Sequence, residues 1–513
     1  MLESSESAGP LAGATAIPSG SSVAEALEVA LRHHRAHELQ PAEAIYRRIL
    51  SENPTHGDAL HFLGVAAYQN GGLENASGLL ARAIAANPGV AAYHYHFGLV
   101  LAALGKPEEA IASYGQALKL APDLAEVHNG FGNALKDLGR LEEAAERYRL
   151  AVRLKPGLAQ GYSNLGNVLE LLGERLEAAH CYQRALALDS NDADAHWNSA
   201  LLKLLTGDFE QGWDEYEWRR KTKWAVKHRY RGPEWSGEPL AGKTILLYAE
   251  QGLGDTIQFI RYAGLVKARG ATVVVQCQRP LLGILAGSPG VDRLVAEDEP
   301  PPPFDWHAAL LSLPRIFRTT LANVPCMTRY LVPSPALAVQ WRQRLAGLGG
   351  FKIGIGWQGN ARYSKDRYRS VPLRHFGALA RVPGVRLIAL QKGLGAKQLC
   401  EMPPEFPIVD FSRELDEASG PFMDTAAIVE SLDLVITSDT ALAHLAGALG
   451  ACVWVALSFA PDWRWLLERG DSPWYPTMRL FRQRSLGDWG TVFEEIRAAL
   501  ENVSARTRSA PSR

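Results

Sequence analysis

The sequence predicts two structural halves: an all-α superhelix of stacked helix pairs, then an α/β half built as two facing βα domains. Three observations lead there. A glycine recurs at Gly64, Gly98, Gly132 and Gly166, a second at Gly71, Gly105, Gly139, Gly173 and Gly207, and a proline at Pro54, Pro88, Pro122 and Pro156, all in steps of 34 residues. Past about residue 219 the alphabet changes, and short apolar runs such as KTILLYAE and ATVVVQCQ alternate with helical patterns. Between the two lies a stretch rich in tryptophan, proline and glycine.

The bulk numbers narrow the function classes. A chain of 513 residues holds two to four domains. A formal net charge of -1 argues against a nucleic-acid binder. The five cysteines are scattered without a CxxC pair, so neither a disulfide framework nor a cysteine zinc site is expected. MLESSESAGP lacks a basic-then-apolar start, and the apolar runs are too short or too interrupted to span a membrane. A cytoplasmic protein is expected, with homo-oligomers compatible.

Residues 1–22, rich in Ser, Gly and Ala, read as a disordered tail. A 34-residue step is the tetratricopeptide (TPR) period, and it places a repeat domain at 23–219. An imperfect first pair, AEALEVALRHHRA and PAEAIYRRILSENP, precedes repeats near 57–90, 91–124, 125–158 and 159–192, and a partial one follows. Ala76, Ala110, Ala144 and Ala178 let paired helices approach, while Tyr114, Tyr148, Tyr182 and Tyr216 fill the gaps between pairs. Such arrays make grooves for peptides, so a protein or peptide partner is expected. Asn133, Asn164, Asn167 and Asn198 fall on first helices, where asparagine is a mediocre helix former. An amide can bond both the N–H and the C=O of an extended peptide, which makes these four the candidate acceptor groove. The competing reading is ordinary polar groove residues and caps.

Residues 220–242 read as a junction that docks the array onto the second half, with Trp213, Trp218 and Trp235 burying area there. The α/β half divides at 243–335 and 336–488. A helix at 489–502 is expected to cross back to the first sheet, before a disordered tail at 503–513. Parallel sheets bind ligands beyond the carboxyl ends of their strands, and 251–256, 357–370, 391–395 and 438–444 fall there. In Gly252-Leu253-Gly254-Asp255-Thr256, Gly254 allows a close backbone approach to a ligand. Asp255 is a helix cap or, in a cleft, a proton acceptor. The loop is neither GxGxxG, which needs glycine at Ile257, nor a Walker A loop, which needs a following lysine. Ser438-Asp439-Thr440-Ala441 opens a helix whose first turns carry His444, a natural anion site whose best tenant is a diphosphate. Capping alone is the plainer reading.

Here a family resemblance becomes specific. LVITSDTALAHLAGALGACVWVAL resembles the phosphate-binding segment of the ADP-heptose lipopolysaccharide heptosyltransferases (glycosyltransferase family 9), with Asp439, Thr440, His444, Leu445 and Ala446 as its core. GLGDT is similar to that family's aspartate loop, which puts Asp255 at the general-base position. The asparagines resemble the ladder of the O-linked N-acetylglucosamine transferases. Over most of residues 40–500 the layout resembles bacterial TPR glycosyltransferases, some of which modify proteins, including flagellins. The resemblance implies a GT-B fold of two Rossmann-like domains and metal-independent transfer. The nucleotide-sugar donor would be held mainly by the C-terminal half, with a protein acceptor on the repeats. Ala441 stands where the heptosyltransferases usually carry glycine, and the repeats are an addition; both set this chain apart from heptose and lipopolysaccharide.

Under that reading, cationic side chains and backbone donors stabilise the leaving diphosphate with no metal and no further cofactor. Lys365 and Arg369, in NARYSKDRYRSVPL, are the candidate clamp; a solvated basic loop is the alternative. Gln391 and Lys392 are placed at the base or ribose, and Trp357 and Gln358 at the sugar pocket. Trp463, Trp465, Trp474 and Tyr475 read either as the pocket wall or as packing that locks the last crossover, with packing the favoured reading. Two other functions stay open: a protein-binding scaffold with a degenerate transferase domain, and a lipopolysaccharide or glycan transferase that uses its repeats for assembly.

Overall fold

The computed structural model describes residues 22–226, 230–363 and 365–509. The chain forms two compact units. One ends at Leu169 and includes Ala187–Ser190; the other comprises Glu170–Leu186 and everything from Asn191.

The first unit is helical: α1 (Val23–Arg35), α2 (Leu39–Glu52), α3 (Gly57–Gln69), α4 (Leu73–Ala86), α5 (Ala91–Ala103), α6 (Pro107–Leu120), α7 (Ala125–Asp137), α8 (Leu141–Leu154) and most of α9 (Ala159–Leu171). The first helices start at 57, 91, 125 and 159, so the 34-residue step of the sequence is the step of the helix pairs. Gly71, Gly105 and Gly139 turn each pair at φ of +79°, +73° and +78°, a region that side chains disfavour. The other glycine series makes room for a ring. A Cβ on Gly98 would lie 2.5 Å from the Tyr114 ring, and one on Gly132 would lie 2.6 Å from Tyr148. Glycine on the first helix and tyrosine on the second are therefore one lock. Gly132→Ala should lower stability by about 1–3 kcal/mol through overpacking. Gly115→Ala, in a helix with nothing within 4 Å of the new methyl, should instead stabilise by up to about 1 kcal/mol. Denaturant titration of both variants checks the contrast.

The second unit opens with α10 (Arg175–Leu188), α11 (Ala193–Leu205) and α12 (Phe209–Tyr216), then two parallel sheets. The first contains β1 (Thr244–Tyr248), β2 (Thr272–Cys277), β3 (Arg293–Ala296) and β4 (Trp306–Ala309) in the order β3-β2-β1-β4. The second contains β5 (Phe351–Gly356), β6 (Val385–Ala389), β7 (Ile408–Asp410), β8 (Leu434–Ser438), β9 (Val453–Leu457) and β10 (Met478–Arg482) in the order β10-β9-β8-β5-β6-β7. Every residue of β8 and β9 is buried, as expected for parallel strands covered on both faces.

The last repeat is built into this unit. Trp213 of α12 donates its indole N–H to the Thr319 carbonyl at 2.9 Å, and Asp214 pairs with Arg315 at 2.7 Å. Buried Arg219 reaches Glu250 at 2.6 Å and the Ser312 hydroxyl at 2.8 Å. Trp235 is buried, and its backbone N–H bonds the His307 carbonyl of β4 at 2.8 Å. Trp218 differs from expectation: it stacks on His196 of α11 at 3.8 Å and 11°, within the repeat.

The final helix, Trp489–Ser509, also differs. Trp489, Val492, Phe493, Ile496 and Leu500 pack with Phe376, Leu379 and Ile353 in the core of the second sheet, so the helix does not cross back to the first. Its apolar stripe at helical spacing fits the segment around Leu373–Phe376. Helix also occupies 503–509 of the expected tail; the rest of that tail, 510–513, and residues 1–21 of the N-terminal one lie outside the described residues. Among the described residues no helix is long and apolar enough to cross a membrane.

Candidate functional site

β1 runs into α13 (Leu253–Phe259), whose N-cap is Gly252. The Gly252 N–H donates to Asp255 Oδ2 at 2.8 Å, so Asp255 does cap its own helix. Its other oxygen takes the guanidinium of Arg464. Arg464 lies in the short turn Trp463–Trp465 that follows β9. It also donates to Gln258 Oε1 at 2.5 Å and to Asp462 Oδ1 at 2.8 Å. One buried cation thus ties the carboxyl end of β1 to that of β9. Burial pushes the Asp255 carboxyl up; Arg464 opposes the shift and Asp462 adds to it.

More charges gather around this pair. Asp439, at the end of β8, is buried; burial first, and then the Asp462 charge, push its carboxyl up to about 6 against Arg369 and Arg464. Arg369 donates to Asp366 at 3.1 Å. Burial would lower its proton affinity, but Asp439 and Asp366 raise it overall. Burial likewise works against the Lys365 ammonium, but Glu170, Tyr363 and Asp462 together raise its proton affinity overall. Glu170 in turn accepts from the Tyr182 hydroxyl at 3.3 Å. Arg464, Arg369 and Lys365 therefore face Asp255, Asp462, Asp439 and Glu170. An anion entering here must displace a carboxylate or meet a protonated one.

Thr440 is the N-cap of the helix Ala441–Ala448, with an extended backbone and no side-chain cap. Thr440, Ala441 and Leu442 are half-exposed, and the Thr440 hydroxyl sits 3.4 Å from that of Thr437. The start of this helix thus leaves N–H groups for an anion.

Other expected ligands serve the frame. His444 shares a hydrogen bond with the Tyr475 hydroxyl at 2.9 Å and lies over the Trp465 indole at 5.5 Å. Burial, then Arg464, Arg261 and Arg369, hold it well below the ordinary imidazole value, so it is neutral and offers a phosphate no charge. A Cβ on Gly254 would lie 2.8 Å from the His444 ring, so Gly254 serves close helix packing, not the approach of a ligand. Trp357 is fully buried, with its indole N–H on the Gly395 carbonyl at 3.1 Å; it belongs to the core, not to a sugar pocket. Gln391 accepts from the Trp357 and Gln358 backbone N–H groups at 3.0 and 2.9 Å and donates to the Gln358 and Lys392 carbonyls. Gln358 accepts from Gln398 at 3.2 Å. Lys392 donates to the Leu415 carbonyl and to Glu417, each at 2.5 Å. These groups close the ends of β5 and β6, whose last backbone groups need partners. Trp463, Trp465, Trp474 and Tyr475 are buried.

In the first unit, Asn133 accepts from the Tyr148 hydroxyl at 2.7 Å, and Asn164 donates to Asn129 at 3.0 Å. Asn167 is half-buried on α9; Asn198 is half-buried on α11 and belongs to the second unit. His94 and His128 bond the carbonyls of Pro88 and Pro122, both at 2.9 Å, and so brace the repeat turns. Among the described residues no cluster of three or more His, Cys, Asp or Glu side chains is arranged to hold a metal ion. Sequence reasoning missed Arg464, Asp462, Glu170 and Asn129. For Arg464 the signal was its place after β9, masked by the tryptophans on either side.

Family models for tetratricopeptide repeats match residues 98–139, 132–173 and 159–192. The model for anaphase-promoting complex, cyclosome, subunit 3 matches 35–117. The N-terminal half thus carries TPR repeats. Protein FlbA of Caulobacter vibrioides is 28% identical over 328 residues, which cover 60% of this chain and 54% of FlbA. The chain therefore spans about half the length of that relative. Among solved structures, the thermophilic TPR protein TTC0263 of Thermus thermophilus is 21% identical and covers 36% of this chain and 100% of its own, with a TM-score of 0.32. YrrB, a TPR protein with an unusual peptide-binding site, is 22% identical and covers 34% and 90%, with a TM-score of 0.29.

Proposed function

We propose that the chain is a cytoplasmic, metal-independent glycosyltransferase of GT-B type that moves a sugar from a nucleotide-sugar to a protein acceptor held by the repeats. The observation that supports this most is the set of buried Arg464 and half-buried Arg369 and Lys365 near the uncapped start of the helix Ala441–Ala448. Cations and free N–H groups together suit a diphosphate leaving group. In the reaction, the acceptor hydroxyl oxygen bonds the anomeric carbon while the bond from that carbon to the phosphate oxygen breaks. The electron pair leaves with the diphosphate, and Asp255 takes the hydroxyl proton. Lys365 and Arg369 stabilise the charge on the departing phosphates. On the repeats, the Asn129–Asn164 pair and Asn167 supply amides for an extended peptide, as TPR grooves do.

Incubating the full chain with a panel of nucleotide-sugars and candidate acceptors, flagellin among them, tests this by mass spectrometry. The expected result is a mass increment of one sugar residue on the acceptor, unchanged by EDTA. A strict Mg²⁺ requirement would overturn the metal-free mechanism. One observation favours a scaffold with a degenerate transferase domain: both oxygens of Asp255 are engaged, by Gly252 and Arg464. Tight nucleoside diphosphate binding with no sugar transferred from any donor would mark that outcome.

A further inference from the structure

The pairing of Asp255 with Arg464 raises a chemical difficulty. A carboxylate whose oxygens accept a backbone N–H and a guanidinium has little capacity left for a proton. Arg464 has anchors besides Asp255: Asp462 on one nitrogen and Gln258 on another. It can therefore leave Asp255 without leaving its place. Its field also reaches Asp439, the residue before the uncapped Thr440. Arg464 thus stands between the candidate base and the candidate diphosphate seat.

We propose that Arg464 is a donor-sensing switch: the diphosphate of an incoming nucleotide draws its guanidinium off Asp255 and frees that carboxylate to take the acceptor's proton. The proposal rests on the transferase reading above. A diphosphate offers a guanidinium more charge and a better bidentate fit than one carboxylate oxygen does, so the exchange is favourable. The consequence has a definite sign. Arg464 lowers the proton affinity of Asp255, so its departure raises that affinity and makes the base stronger. The groups facing Asp255 are Arg464, Asp462, Arg369 and Tyr216; beyond Arg464 lie Asp439 and neutral His444. Arg464 is a positioning residue in this scheme, and Asp255 remains the one that meets the acceptor. The base would be armed only when the donor is in place.

Calorimetry of the full chain with ADP, GDP and UDP, in buffers of different ionisation enthalpy between about pH 5 and 7, tests the switch. Wild type should take up protons on binding. D255N should show less uptake, and the difference isolates Asp255 from the titration of the nucleotide itself. R464Q should bind the diphosphate roughly tenfold more weakly and lose the same proton uptake, with R464K restoring part of both. A merely structural role for Arg464 would lower the melting temperature of R464Q and leave its proton uptake at the wild-type value; that result overturns the proposal. So does binding by wild type with the same proton count as D255N. If none of the three nucleotides binds, the donor-site reading falls together with the switch. Binding without linked protons removes the switch alone.

Discussion

Asp255→Asn should lower sugar transfer by about 10²-fold or more while donor binding is retained. The substitution keeps the shape and an oxygen for the Gly252 N–H, which now bonds Asp255 Oδ2 at 2.8 Å, but removes the basic group. The pH profile separates this from simple damage. Burial raises the Asp255 carboxyl above its ordinary 3.8, and activity needs the ionised form. The acidic limb of the wild-type rate should therefore lie above the ordinary carboxylate range, with activity lost as pH falls through it. D255N should show a low residual rate without that limb. A fully active variant would remove Asp255 from the mechanism. Circular dichroism must accompany the kinetics, because Arg464 would then share its charge with Asp462 alone among its carboxylate partners.

Trp463→Ala should destabilise the second unit by about 3–5 kcal/mol, the range for truncating a buried aromatic. Its ring lies 5.2 Å from Trp213, 5.9 Å from Trp474, 6.1 Å from Tyr216 and 6.4 Å from Phe259, with the Arg464 guanidinium 4.4 Å from its centroid. Two of those neighbours come from the last repeat. A fragment of 243–502, the α/β half with its final helix, lacks Trp213 and Tyr216 and leaves one side of Trp463 bare. That fragment should aggregate, and one beginning at residue 170 should remain folded. Scanning calorimetry of the variant and size-exclusion chromatography of the two fragments check both outcomes. A soluble, cooperatively melting 243–502 would show that the last repeat is dispensable.

Periodic features were the legible ones. The 34-residue step wrote the helix pairs directly into the sequence, because every pair repeats one packing problem: a φ-positive turn at Gly105 or Gly139, and a gap at Gly98 or Gly132 that only a missing Cβ can open for a tyrosine. The longer buried strands β1, β2, β5, β8 and β9 were legible as apolar runs. β3 was not: it has four residues, two of them buried, too few for any period to register.

Site residues divided differently. Asp255, Lys365, Arg369, Asp439 and Thr440 could be singled out because residue type and position after a strand both point to charge at a cleft. Trp357, Gln391 and Lys392 share that position, yet their polar groups are consumed in closing strand ends and loops. Position along the chain does not say which way a side chain turns.

By itself, then, the sequence determined local and repeating structure: where helices pair, where strands run, and which loops lie at their carboxyl ends. The tertiary structure alone decided which distant groups share a dielectric. Asp255 and Arg464 are 209 residues apart and form one ion pair. Glu170, on a repeat helix, is the carboxylate that most favours the charged form of Lys365. His444 is neutral because three arginines and burial surround it. Charge interactions in a buried site depend on separations of a few ångströms and on the loss of water, and neither is encoded in spacing along the chain.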